Sequence, residues 1–246
     1  MKILVPLSKV PDTTAKIAFT NNNTEFDTNN VQFIINPTDE WYALVRAIEL
    51  VEKNGGSVTV INVGSAENDQ FIRKALAIGA NDAVRVDAQA KDAFFTASQI
   101  ADYAKANAYD LVITGKETID YNGAQIGGMI AEFMDAGYVG LVTRLDIEDG
   151  KVSLNREIEG GEEVVEASLP LVVSAQKGMA EQRIPNMRGI MQARTKPLNV
   201  IPANGTNAIV NIAAYHLPPT KSGCTYVDAE NIGELVRLLH EEAKVI

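Results

Sequence analysis

Short apolar runs alternate along this chain with longer segments in which apolar residues recur every three or four positions. Residues 2–7, 57–63, 83–86 and 111–113 are rich in Ile, Leu and Val and are bounded by turn residues, the mark of buried strands. Between them the spacing predicts helices. One opens at Thr38 or Asp39, carries Ala43, Ile48, Leu50 and Val51 on one face, and ends at Asn54 and two glycines. A second covers 67–78 and closes at Gly79; a third covers 91–107. A fourth follows residues 111–113, with Ile126, Met129, Ile130 and Phe133 at helical spacing. Strand and helix thus alternate to about residue 136, which calls for right-handed crossovers and a parallel sheet. The class expected is α/β with a doubly wound, mostly parallel sheet.

The remaining segments read differently. Residues 8–14 form a loop punctuated by Pro11, and the Asn-rich stretch 21–30 reads as a surface hairpin of edge segments. After Tyr138, residues 139–147 and 151–158 flank Asp149 and Gly150, a hairpin signal. Gly160 and Gly161 turn the chain into 162–168, and Pro170 introduces a strand at 171–174. From Gln176 periodicity is lost, apart from a short helix over 188–194, until an amphipathic helix over 228–244 with Ile232, Leu235, Val236, Leu238 and Leu239. So long an irregular stretch suits an arm lying on a partner subunit. Residues 1–175, with the ribbon 139–168, therefore form the α/β domain, and 176–246 the arm and last helix. Between 176 and 196, Lys177, Arg183, Arg188, Arg194 and Lys196 stand against Glu181 alone, a net of +4 that seeks a negative neighbour.

Composition narrows the chemistry. The 246 residues, 46% hydrophobic, suffice for a full core. With 22 basic and 32 acidic side chains the net charge is −10, which argues against a nucleic-acid surface. No segment approaches 18 apolar residues, and the first run is too short for a signal peptide, so a soluble, cytoplasmic protein without membrane insertion is expected. One cysteine, Cys224, and two histidines leave no disulfide framework and no Cys- or His-based metal centre. His216 reads as an arm residue and His240 as solvated. GxSxG, HExxH, a P-loop and GxGxxG are all missing, so no catalytic residue is assigned and the hard chemistry is left to a cofactor.

In a doubly wound sheet, ligands collect at the C-terminal ends of the strands near the switch in strand order. Four loops qualify: 7–14, 36–39, 63–65 and 115–125. The last leads into a helix interrupted by Gly127 and Gly128, each costing about 1 kcal/mol relative to alanine in a helix interior. Such a pair signals close approach, either by a phosphate at the helix N-terminus or by packing in a tight strand-to-helix turn. Asp120 either accepts a ribose hydroxyl or caps the helix; Gln125 either offers its amide to a phosphate or faces solvent. Helix capping accounts for Asn36, Pro37, Thr38 and Asp39 without a ligand. Trp41 and Tyr42 either stack on a ring system or pack in the core.

Taken together, ILVPLSKVPDTT, INPTDEWYALVRAIEL, RKALAIGANDAVRV, GKETIDYNGAQIGGMIAEFM and REIEGGEEVVEASLPLVVSAQKGMAEQRIPNMRGIMQARTKPL resemble the beta subunit of electron transfer flavoprotein over nearly the whole chain. The resemblance implies a fold of adenine-nucleotide α-hydrolase-like type, a heterodimer with an alpha subunit that holds most of one FAD, and a structural AMP in this subunit. It places AMP ligands at Pro6, Asn36, Pro37, Thr38, Asp39, Val63, Gly115, Asp120, Asn122, Gly123, Ala124, Gln125 and Ile126, and Thr13 near the flavin. Where many members have Asn-Gln-Thr-Gly, this chain has Ala124, Gln125, Ile126 and Gly127, so an amide and a hydroxyl are missing. The resemblance further implies a recognition loop over 181–192, with Met187 as apolar anchor beside Arg183, Arg188 and Ile190, docking acyl-CoA dehydrogenases and a membrane quinone oxidoreductase. In bifurcating relatives a second FAD replaces AMP. The VPDT run at 10–13 is similar to theirs, but residues 119–129 do not reproduce their IDGDTAQVGPE run, which favours AMP. A stand-alone adenine-nucleotide-binding regulatory module of the same fold is the competing reading.

Overall fold

The computed structural model describes residues 1–148, 150–221 and 223–246. β1 (Lys2–Pro6) leads into β2 (Lys9–Pro11), the small hairpin β3 (Phe19–Thr20) and β4 (Glu25–Phe26), and β5 (Phe33–Ile35). Then follow α1 (Asp39–Asn54), β6 (Ser57–Val63), a 3-10 turn at Ala66–Asn68 running into α2 (Asp69–Ile78), β7 (Asp82–Asp87), α3 (Ala93–Ala106), β8 (Leu111–Gly115) and α4 (Ile126–Met134). β9 (Gly137–Glu148), β10 (Lys151–Ile158) and β11 (Gly161–Ala167) form an antiparallel meander, and β12 (Leu171–Ala175) returns to the centre. The chain ends with α5 (Met187–Ala193), β13 (Leu198–Pro202) and α6 (Ile232–Arg237), which a π-helical turn at Leu238–Ala243 extends.

Nine strands share one sheet in the order β11-β10-β9-β12-β8-β1-β6-β7-β13, and every pair from β9 to β13 in that order is parallel. β1 is central: the chain moves to β6 on one side and later to β8 on the other, so the switch in strand order lies between β1 and β8. Both faces are covered. Ile3 and Val5 join the cluster with α1 and α2, while Leu4 joins the one with α3 and α4. That alternation explains why the strand reads as an unbroken apolar run, since each fully buried aliphatic stabilises by roughly 1.5–3 kcal/mol.

Several expectations change. The 8–14 loop contains β2, which pairs antiparallel with β5 and ties the Asn-rich excursion to the body. The irregular stretch after 176 contains β13, paired in register with β7 from Leu198↔Ala83 to Pro202↔Asp87, so this part of the segment lies on its own sheet rather than on a partner. The C-terminal helix, amphipathic enough to pack on the sheet or on a partner, does not pack on the sheet: α6 buries no residue, and Ile232 is 68% exposed. Of the expected turn at Asp149 and Gly150, Asp149 lies outside the described residues, while β9 and β10 pair on either side of it. No helix among the described residues is long and apolar enough to cross a membrane.

Candidate functional site

At the switch point the loops after β1, β5 and β8 are tied together by one residue. Asn36 is fully buried; its Nδ2 donates to Glu117 O at 2.9 Å, its Oδ1 accepts from Ile119 N at 3.1 Å, and its own N–H donates to Ser8 O at 3.2 Å. Capping therefore does not account for this tetrapeptide. Thr38 stands at the N-cap with φ −110° and ψ −95°, and its side chain caps nothing. Asp39 and Glu40, which capping would leave in solvent, are buried instead.

Glu40 is the residue that spacing did not reveal. Its Oε2 accepts from Ser8 N at 2.6 Å and its Oε1 from Ser8 Oγ at 2.7 Å, joining the start of α1 to the end of β1. Burial pushes its carboxyl up to about 8, against the pull of the two Ser8 hydrogen bonds and with the help of the Asp120 and Asp39 charges. Burial also raises Asp39, opposed by the Lys116 charge and the Glu117 backbone. An acidic residue in the first turn of a helix is so ordinary that only the fold exposes its burial.

Two glycine positions acquire definite causes. A Cβ on Gly115 would stand 2.8 Å from Glu40 Cγ and 2.9 Å from Glu40 N, so this glycine lets α1 begin against the end of β8. A Cβ on Gly127 would stand 2.9 Å from Thr114 Oγ1 and 3.0 Å from Tyr138 Cε2, whereas at Gly128 the ring is 3.8 Å away. The close approach at this pair is thus made by the chain's own Tyr138, whose hydroxyl donates to Ser174 Oγ at 3.0 Å. Ser174 Oγ also accepts from Leu141 N at 3.2 Å, holding a bulge in β9 where Leu141 has φ +58°. Beside this lies a cleft of about 370 Å³ lined by Lys116, Ala124, Tyr138, Gly140, Leu141, Arg156 and Ser174. A larger one of about 440 Å³ lies away from the switch point, between α1 and the meander, where Arg46 and Arg144 are already paired with Asp146.

Of the expected nucleotide residues, Pro6 is buried at the end of β1 and Val63 at the end of the neighbouring β6. Pro37 offers its carbonyl to Gln182 Nε2 at 2.9 Å. Asp120, Asn122, Gly123, Ala124 and Gln125 form an exposed loop in which Asn122 and Ala124 adopt φ +48° and +50°. That loop delivers the N-terminus of α4, beginning at Ile126, which no side chain caps. Its first N–H groups and its dipole suit an anion, and this fits a phosphate even though Ala124 and Ile126 offer it no side-chain donor. Thr13 stands apart on an exposed turn beyond β2, where Thr14 hydrogen-bonds Asp12. Trp41 and Tyr42 pack against the core cluster.

On the opposite flank α5 and the residues leading into it present an apolar surface: Ile184, Met187 and Met191 are 83%, 75% and 69% exposed, and Ile190 is 42% exposed. Its inner side is fixed. Gly189 lies so close to Ala77 O that no side chain fits, Asn186 caps the helix by accepting from Gly189 N at 2.8 Å, and Arg73 Nη1 donates to Ala193 O at 2.8 Å. Two of the five cations of this segment find partners within the chain: Arg183 forms a two-pronged pair with Glu52 at 2.8 and 2.9 Å, and Lys196 Nζ donates to the carbonyls of Leu76 and Ala80. Arg188 remains exposed.

Residues 24–205 match the family model described as the electron transfer flavoprotein domain. Over its full length the chain is 33% identical to the electron transfer flavoprotein subunit beta of Bacillus subtilis, 100% of which is covered. It is 29% identical to that of Bos taurus, over 100% of this chain and 99% of the relative. A third similarity, 29% over 99% of this chain and 98% of the relative, is to the caffeyl-CoA reductase-Etf complex subunit CarD of Acetobacterium woodii.

Proposed function

The chain belongs to the electron transfer flavoprotein family, as a beta subunit, and on that premise we propose that it joins an alpha subunit in a cytoplasmic heterodimer carrying electrons from acyl-CoA and other flavoprotein dehydrogenases to a membrane quinone oxidoreductase. Membership implies association with flavin and with a partner subunit. The flavin, when bound, supplies the electron-transfer chemistry. This chain supplies scaffold and docking; FAD would be held mainly by the alpha subunit, with Thr13 of this chain near it.

In this reading an AMP fills the switch-point site. The observation that carries it is the Asn36 clamp, which ties the 36–39 turn to the start of the loop that leads to the uncapped N-terminus of α4. With Ala124 and Ile126 in place of hydrogen-bonding side chains, the phosphate is held by backbone N–H groups, with Gln125 the remaining amide in reach. Co-expression with the alpha subunit tests the whole. A yellow heterodimer releasing AMP and FAD in equal amounts on acid treatment is expected. A colourless monomer indifferent to the alpha subunit would establish the stand-alone module, and two FAD without AMP the bifurcating form.

Docking has its own test. α5 is rigidly seated on α2, so its exposed methionines meet a partner as a preformed apolar knob, and Met can adapt to pockets of several shapes. Met187→Ala should slow reduction by an acyl-CoA dehydrogenase by roughly tenfold, the scale of one anchor side chain, with flavin content unchanged. Unaltered stopped-flow kinetics would remove Met187 from the docking surface.

A further inference from the structure

Between residues 209 and 221 of the C-terminal segment, Tyr215 is the one position that is not exposed. Three contacts account for this. Its ring stacks on Phe19 with centroids 4.9 Å apart and planes 11° from parallel, its N–H donates to Asn23 O at 2.7 Å, and its hydroxyl lies 3.0 Å from that of Tyr121. The Asn23 carbonyl is set by a turn in which Asn21, Asn22 and Asn23 all have positive φ, from +50° to +64°, a conformation Asn tolerates better than most side chains. Six residues earlier the segment is fixed a second time. Asp92 Oδ2 accepts from Ile209 N at 2.7 Å and Val210 N at 2.9 Å, while its Oδ1 caps α3 by accepting from Phe95 N at 2.7 Å.

These anchors share one property. Asp92 follows β7, Tyr121 follows β8, and Phe19 and Asn23 lie on the long excursion that joins β1 to α1, so all lie on connections that leave the C-terminal end of a strand of the large sheet. A chain held at 209–210 and again at 215 spans at most about 20 Å and has to cross that end of the sheet. Tyr121 belongs to the loop before α4, in which Ala124 sits at positive φ, a conformation that in a residue of this kind persists only where surrounding contacts hold it. We propose that residues 209–215 form a strap over the switch-point site, latched by Tyr215 onto Tyr121, and that the latch positions the loop and slows exchange of a bound adenine nucleotide. The latch rests on the contacts above; its effect on exchange rests on the AMP reading.

Tyr215→Phe and Tyr121→Phe each delete the hydroxyl contact and keep the ring. In the full chain, each should raise amide hydrogen exchange over residues 117–124 and speed release of labelled AMP roughly fivefold, and the double variant should add nothing further, because both remove the same bond. Tyr215→Ala, which also removes the stack on Phe19, should go beyond either, by roughly tenfold or more. Wild-type exchange in both Phe variants, or effects that sum in the double variant, would overturn the latch. Raised exchange with unchanged AMP release would overturn its role in retention. A chain that takes up no AMP would instead defeat the proposed function, with the latch decided by hydrogen exchange alone.

Discussion

Gly115→Ala should lower the thermal midpoint by roughly 6 °C and weaken AMP binding by about tenfold. The added carbon meets Glu40 Cγ at 2.8 Å, Glu40 N at 2.9 Å and Asp39 Cβ at 3.1 Å. A flexible side-chain end would swing away, but a backbone nitrogen in the first turn of α1 moves only if the helix moves. The Ser8 bonds to Glu40 and the Asn36 clamp resist that shift. Overpacking of this kind costs about 2 kcal/mol, which in a chain of this size is several degrees. Gly161→Ala, on β11 away from the site, is the control. Nothing lies within 4 Å of a Cβ there, so its stability should stay within about 0.5 kcal/mol of wild type. Equal midpoints and equal AMP affinities for the two variants would mean that the α1–β8 contact positions nothing.

Glu40 gives the second large effect, read in pH. Its carboxyl is raised to about 8 in the folded chain from an ordinary 4.5, so between those values the folded state holds a proton that the unfolded state has released. Stability from this group is therefore complete below 4.5 and is lost as pH rises through 8, at up to the order of 1 kcal/mol per pH unit. Glu40→Gln keeps the shape without the titrating proton. Urea midpoints at pH 5, 6.5 and 8 should fall steadily in wild type and far less in the variant, with the residual slope due to Asp39, which is raised too. Carboxyls held low, such as Glu52 beside Arg183 and Asp146 beside Arg144, lose their contribution only in more acidic solution and do not mask the trend. Parallel slopes would show that Glu40 is ionised throughout.

The central strands were legible because burial on both faces leaves short apolar runs bounded by turn residues, as residues 111–113 show. β13 was not. Leu-Asn-Val-Ile-Pro lies at the sheet edge with Asn199 and Val200 exposed, and it follows one proline and ends at another, which only an edge strand tolerates. At the site, spacing located the loops but left their causes open. A glycine pair reports close approach without naming the neighbour, and Tyr138 comes from the following strand. Glu40 meets Ser8 across 32 positions and Asn36 meets Glu117 across 81, distances that no local window spans.

The edge strand also has a history in time. β7 ends at residue 87 and its outer neighbour β13 begins at residue 198, so during synthesis the outer edge of β7 stays open until most of the chain has been made. At a ribosome's pace the intervening residues take roughly 5–20 s, and through that interval a strand of Ala, Val and Val offers unpaired N–H and C=O groups to any passing neighbour. Residues 198–202 thus act as a late seal, and a chain truncated before them would be expected to associate through β7 rather than remain a shorter monomer.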